Sequence, residues 1–451
     1  VTLTSARPNR RVPAATDVQV VLDAPDAPDV PTTHDTPNHH DDKAAASTSR
    51  TRRHTLLLVS ILGVLSALGP LATDLYLPAL PQIASGLGTS EASVKLTLTS
   101  VMAGLALGQL VIGPLSDRWG RRKPLLAGIA VFTLTTFAIA MVSSVEMFSL
   151  LRFGQGVSAA AGLVISRAIV RDVFDGDAAA TFFSRLVLLS GLAPMLGPVL
   201  GGQLLFFGPW QLLFAVLGVT GLATFALVLF TLPESLPVEQ RERVSPREQM
   251  RVFGGLLRDI RFTGPTLTLA LSFGMSFTYI STFSFVAQSR LGASAQEFSL
   301  VFAVTTLGMI IGNQLNAYLI SRVEIHRRLF LGLAGSIASV AALAVLGASG
   351  GATLVTVTVA LFVMMVFTGL VSPNATALAL DGQPPKVAGS GSALLGTLQF
   401  AIGSGLASTA GLTGPVTLSS MTAVMLATAV AAAVVFTGFA VRARHTAPAA
   451  A

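Results

Sequence analysis

The sequence predicts an all-α polytopic membrane protein, with twelve transmembrane helices arranged as two pseudo-symmetric six-helix halves. Three observations carry that prediction. Of 451 residues, 52% are hydrophobic and only 11% are charged, against roughly 25% charged in an ordinary soluble domain. Apolar runs of about 20 residues, the length that crosses the hydrocarbon of a bilayer, follow one another from Thr55 almost to the C-terminus. The longest internal polar stretch, from Pro233 to Arg261, divides those runs six and six.

Residues 1–54 are rich in Pro, Ala, Asp, Thr and His and lack the apolar core of a signal peptide, so they read as a disordered cytoplasmic tail. The first half, 55–232, holds spans centred near Leu65, Ala103, Thr133, Gly156, Leu192 and Gly221. A cytoplasmic linker follows at 233–262, with Glu234, Glu239, Glu242 and six arginines. The second half, 263–441, holds spans centred near Phe277, Thr306, Ile337, Val363, Leu398 and Met425, and 442–451 form a second cytoplasmic tail. Twenty-two lysines and arginines from Arg50 onward fall on the side of the termini and two, Lys95 and Arg290, on the opposite side. That asymmetry predicts a cell-membrane protein with both termini in the cytoplasm. It also accounts for the net charge of +7 without a nucleic-acid partner. A faint internal repeat agrees with two halves: Gly312 to Arg322, followed by His326, Arg327 and Arg328, lies where a second copy of Gly108 to Lys123 would fall, with Ser321 in the place of Asp117.

Several chemistries are excluded. Cysteine is absent, so no disulfide or thiolate chemistry is available. None of the four lysines follows a glycine, which removes the core of a phosphate-binding P-loop, and Gly389, Gly391 and Gly396 read as helix packing. No cofactor is expected, and no nucleophile and base set supports an enzyme. The cluster of His34, His39, His40, Asp41 and Asp42 has no fixed geometry, so no metal site is expected. Twenty-five arginines to four lysines, with Val1 first, point to a GC-rich bacterial gene.

What remains is a short set of charges and glycines in unusual places. Asp74 is an acid in an otherwise uncharged apolar run, and Arg152 is a cation in another; intramembrane ionisable residues are functional by default. Asp74, whose charged form is costly there, is suited to binding and releasing a proton. Gly113-Pro-Leu-Ser-Asp117-Arg118-Trp-Gly120-Arg121-Arg122-Lys123 is a tight turn between two spans, and Asp172 at the end of the fourth span is a partner for Arg121. Gly191, Pro194, Gly197, Pro198, Gly201 and Gly202 give the fifth span a bare, kinkable face.

These stretches resemble one family. The turn from Gly113 to Lys123 is similar to the signature loop of the major facilitator superfamily, G-x-x-x-D-R-x-G-R-R/K. Thr73-Asp74-Leu75-Tyr76-Leu77-Pro78-Ala79-Leu80-Pro81 resembles the T-D-M-Y-L-P-A-L-P stretch of its Bcr/CflA branch of drug/proton antiporters. Arg152 to Asp172, through Gln155, Gly162, Arg167 and Arg171, is similar to that branch's fourth-span motif, and Gly191 to Gly202 resembles the antiporter motif with its G-P-x-x-G-G core. The resemblance implies alternating access by a twelve-span exporter of small amphipathic drugs, of the chloramphenicol and bicyclomycin type, driven by protons. It implies that Asp74 exchanges the proton, that Arg152 couples it, that the fifth-span motif permits bending, and that Asp117 and Arg121 lock the cytoplasmic ends. Asp117 is expected to cap the eleventh helix near Gly389-Ser390-Gly391.

For the substrate, Tyr76, Gln155, Tyr279, Phe283, Asn313, Asn374 and Gln399 are the candidate cavity residues, apolar walls with a few hydrogen-bonding groups. No buried charge is expected in the second half. The expected partners are a drug-like substrate, protons and the bilayer, with the chain acting as a monomer. The alternative is export or import of an endogenous metabolite such as a sugar on the same fold.

Overall fold

The computed structural model describes residues 58–174, 176–241, 245–411 and 414–446. The N-terminal tail, 1–54, and the last five residues lie outside the described residues. The described residues belong to one compact unit and are helices joined by short turns and loops. The helices are α1 (Leu58–Gly86), α2 (Glu91–Trp119), α3 (Arg122–Ile139), α4 (Val145–Val173), α5 (Gly176–Phe207), α6 (Gln211–Thr231), α7 (Pro246–Arg258), α8 (Ile260–Phe285), α9 (Ala295–Leu319), α10 (Ile325–Ala348), α11 (Leu354–Leu380), α12 (Pro385–Ser408) and α13 (Leu418–Thr446). Each of the twelve expected span centres falls inside one of these helices. The short α7 lies in the linker.

Among the described residues, ten helices are long and apolar enough to cross a membrane. Of the other two long ones, α5 carries the shorter apolar stretch Gly191–Phe207, and α12 is diluted by Gly, Ser and Thr. Caps mark the starts. Ser90 accepts from the Ser93 amide, Ser144 from that of Met147, and Ser294 with Glu297 and Thr353 with Thr356 close capping boxes. The last helix continues to Thr446, past the expected boundary at 441.

Two helix crossings repeat. A Cβ at Gly104 would overlap the Phe153 carbonyl and one at Gly156 the Val101 carbonyl, so α2 and α4 touch backbone to backbone. In the second half, Gly312 meets the Val366 carbonyl and Gly369 the Met309 carbonyl, which brings α9 and α11 together in the same way. Gly108, the position matched to Gly312 by the faint repeat, packs on Val157 and Ala160 of α4. The repeat thus corresponds to equivalent helix crossings.

Candidate functional site

The candidate site begins where α1 breaks. Regular helix stops at Asp74, turns through Leu75 and Tyr76, passes a 3-10 turn at Leu77–Ala79 and restarts at Leu80. Pro78 and Pro81 explain the break, since neither has an N–H to donate. Helix α1 therefore runs well beyond Asp74, which lies mid-span and buried.

Around the break, α4 and α5 close in. Arg152 of α4 is fully buried and donates through Nη1 to the Ala72 carbonyl at 2.8 Å and to Gln155 Oε1. Its Cζ lies 4.2 Å from the Tyr76 ring centroid and 5.8 Å from that of Phe214. Gln155 donates onward to Thr136 Oγ1 at 2.6 Å, and the Tyr76 hydroxyl pairs with Thr97 Oγ1 at 3.0 Å. Arg152 Nε and Nη2 have no partner among the described residues. On the other side, a Cβ at Gly201 would overlap the Leu75 carbonyl, and one at Gly197 would lie 3.1 Å from the Asp74 Cβ. The bare face of α5 is thus the notch that seats the Asp74 turn. Pro194 and Pro198 lie within a helix that stays regular through both.

The turn between α2 and α3 is a second polar cluster. Gly120, at φ +85°, ends α2 in a conformation that favours glycine. Arg121 is buried and donates to Asp172 Oδ2 at 2.8 Å, to Ser116 Oγ at 2.9 Å and to Asp117. Burial disfavours the charged guanidinium, but Asp172 and Asp117 outweigh it and hold the Arg121 pKa above its ordinary value. Glu234, which the sequence reading placed only in the linker, accepts from the Arg121 and Arg122 amides at 2.7 and 3.2 Å. It caps the positive end of α3. Asp117 does not reach α12: its partner is Arg121, and a Cβ at Gly389 would meet nothing within 4 Å. The Gly113 carbonyl accepts from Ser116 Oγ at 2.9 Å, and Arg118 is exposed and in no salt bridge among the described residues.

The two halves meet at the end opposite this turn. Ser284 Oγ donates to the Leu77 carbonyl at 2.6 Å, and Gln288 Nε2 to that of Pro78 at 3.0 Å. Glu91 pairs with Arg290 at 3.3 Å and accepts from the Val416 amide at 2.9 Å, while Gln296 donates to the Gly202 carbonyl at 3.0 Å. Nearer mid-helix, Thr397 Oγ1 donates to the Ala106 carbonyl at 3.1 Å. Toward the signature turn the same faces part. On α5, Gly202 packs on Ser299, whereas Gly191, three turns along that face, fronts open space. On α9, Ser299, Phe302 and Thr306 are buried, whereas Asn313 and Ala317 on the same side are exposed. The molecule is shut at the far end and open at the end of the signature turn.

The expected substrate residues do not share one cavity. Tyr279 and Phe283 are fully buried in an aromatic stack with Phe298 and Phe302, and the Tyr279 hydroxyl pairs with Thr305 Oγ1 at 2.6 Å. Asn374 donates to Asn316 Oδ1 at 2.6 Å, Asn313 is exposed, and Gln399 is half-buried. Tyr76 and Gln155 belong to the Arg152 cluster. The expectation of no buried charge in the second half is corrected: Arg328 is buried, donating to Asn316 Oδ1 and to the Val323 carbonyl, both at 3.0 Å. Its position among three basic residues at a helix start made it read as surface charge. Lys95, expected in a loop, is likewise buried in the second turn of α2.

Comparison with known proteins adds the lineage of this arrangement. Residues 62–408 match the family model of the Major Facilitator Superfamily. An uncharacterized MFS-type transporter, YdgK, of Bacillus subtilis is 38% identical over 86% of this chain and 96% of its own length. A bicyclomycin resistance protein homolog of Haemophilus influenzae is 33% identical over 78% of this chain and 88% of its own. A chloramphenicol resistance protein of Pseudomonas aeruginosa is 33% identical over 57% and 59%. Among solved structures, a bacterial homolog of the human lysosomal transporter Spinster, inward-facing and unoccupied, superposes with a TM-score of 0.68 at 16% identity, covering 87% of this chain and 97% of that one. At that identity the likeness speaks for the fold.

Proposed function

The chain belongs to the major facilitator superfamily and is a multi-pass membrane transporter rather than an enzyme, and from that premise we propose that it exports small amphipathic drugs in exchange for protons. Chloramphenicol-like compounds are the favoured substrates, and the membrane is the cell membrane with both termini in the cytoplasm. The observation that carries the reading is the Arg152 cluster. A fully buried guanidinium, its Nε and Nη2 unmatched among the described residues, contacts Ala72 and Tyr76 of α1, two residues to either side of the buried Asp74. A buried cation without a counter-charge is costly. In the proposed cycle the ionised Asp74 carboxylate supplies that charge, and proton uptake at Asp74 withdraws it. The change acts where α1 is broken and seated on Gly197 and Gly201, so it reaches the far-end contacts of Leu77 and Pro78 directly. Proton and drug thereby favour opposite openings. Asp117, Arg121 and Asp172 are the gate at the cytoplasmic end, and the chain works as a monomer. The resistance proteins among its relatives support a drug as cargo.

The test is chloramphenicol uptake into everted vesicles carrying the protein, with and without an inside-acid pH gradient. Gradient-dependent accumulation, lost when the gradient is collapsed, is expected. Absence of accumulation overturns the drug assignment and directs the search to endogenous metabolites.

A further inference from the structure

Helix α7 and the corner after it carry a feature the transport cycle does not use. On a helical wheel, Gln249, Val252, Phe253 and Leu256 form one side of α7, and Phe253 and Leu256 are buried against the core that includes Phe262, Leu394 and Phe439. Beside that side lie Met250, 67% exposed, and Leu257, 46% exposed. Next around the helix comes a stripe of exposed arginines, Arg247, Arg251 and Arg258. A helix with a buried face, an exposed apolar edge and a basic stripe is built to lie along a membrane surface. The chain turns at one extended residue, Asp259, whose carboxylate accepts from the Arg261 amide at 2.9 Å and from Gln383 Nε2 at 3.3 Å. None of the four arginines pairs with a carboxylate among the described residues.

A second, independent observation adjoins the corner. A groove of about 290 Å³ runs between α8 and α13, lined by Thr263, Gly264 and Leu267 on one side and Val434, Val435 and Gly438 on the other. Its near end is formed by Ile260, which Arg258 and Arg261 bracket in sequence. Both helices are long and apolar enough to span the membrane, so the groove opens onto hydrocarbon.

We propose that this corner binds an anionic phospholipid of the leaflet facing the signature turn, its phosphate held by Arg258 and Arg261 and an acyl chain lying in the α8/α13 groove. The arginine stripe of α7 extends the contact to neighbouring headgroups. Because Gln249 Nε2 donates to Ser390 Oγ of α12 at 3.1 Å, the bound lipid also steadies the end of a helix that must move when the cytoplasmic side closes. The proposal rests on the membrane fold alone and is independent of the cargo.

The test is native mass spectrometry of the purified full chain titrated with phosphatidylglycerol and with phosphatidylcholine of matched acyl chains. The wild type is expected to prefer phosphatidylglycerol. The pair Arg258→Gln and Arg261→Gln is expected to lower that affinity about thirtyfold, since each of the two basic residues near an anionic surface contributes about 1 kcal/mol. The pair Arg258→Lys and Arg261→Lys is expected to retain it, and Gly438→Leu, where a Cβ meets open space, is expected to weaken both lipids. Equal binding of the two lipids by the wild type overturns the proposal, as does full preference in the glutamine pair. Displacement of the lipid by equimolar inorganic phosphate would show a simple anion site and overturn the acyl-chain part, as would unchanged binding in Gly438→Leu.

Discussion

Arg152 is the residue on which the account turns. Its Nη1 holds both the Ala72 carbonyl and Gln155, and its planar face rests on Tyr76. A lysine keeps the charge but cannot reproduce that fork and stack. Loss of a charge-assisted hydrogen bond costs about 1.5–3 kcal/mol. Arg152→Lys is therefore expected to slow proton-driven uptake on the order of tenfold or more; wild-type initial rates would remove Arg152 from the coupling. Gly201→Ala drives a methyl group into the Leu75 carbonyl, an overpacking of about 1–3 kcal/mol, and is expected to lower the thermal unfolding midpoint of the purified protein. An unchanged midpoint would mean that α1 is not seated there. Asp74, Arg152 and the pairing of Arg121 with Asp172 were legible in the sequence because a charge in an apolar run stands out. Glu234 and Arg328 were not, since each sits in a charged stretch where burial depends on how the loop folds back.

At the scale of elements, α1 shows what proline does in a moving helix. Pro81 cannot donate to Leu77, whose carbonyl instead accepts from the Leu80 amide and from Ser284 Oγ of α8. The far-end seal thus takes its acceptors, the Leu77 and Pro78 carbonyls, from the broken turn of α1. The chain has no cysteine, which permits a single reporter. Ser299→Cys, buried in the closed seam at 3% exposure, is expected to react slowly with a membrane-impermeant maleimide applied at the far end. Adding Ser284→Ala and Gln288→Leu is expected to speed that reaction severalfold, and equal rates would show that these bonds do not hold the seam. Hydrophobic length placed ten of the long helices as spans, because crossing a bilayer demands about 20 apolar residues whatever the packing. It did not show that α1 resumes after its prolines, or that residues 246–258 of the polar linker are helical, because those outcomes depend on contacts made by distant helices.

For the whole molecule, sealed contacts at Glu91, Arg290, Gln288 and Gln296 and parted faces at Gly191 and Asn313 correspond to one end of the proposed alternating cycle. The opposite state requires the far-end bonds to break and the signature turn to approach α12, and there Asp117 would find the helix terminus that it does not touch in this state. Asp117→Ala is accordingly expected to leave far-end closure intact while slowing turnover; an unchanged transport rate would deny it a gating role. The central claim is exchange of drug for proton through Asp74. The most direct measurement is lumenal pH in proteoliposomes, with no imposed proton gradient, after chloramphenicol is added outside. The account predicts that inward drug movement alkalinises the lumen with the wild type and not with Asp74→Asn. Lumenal acidification, or drug uptake without a pH change, would contradict it.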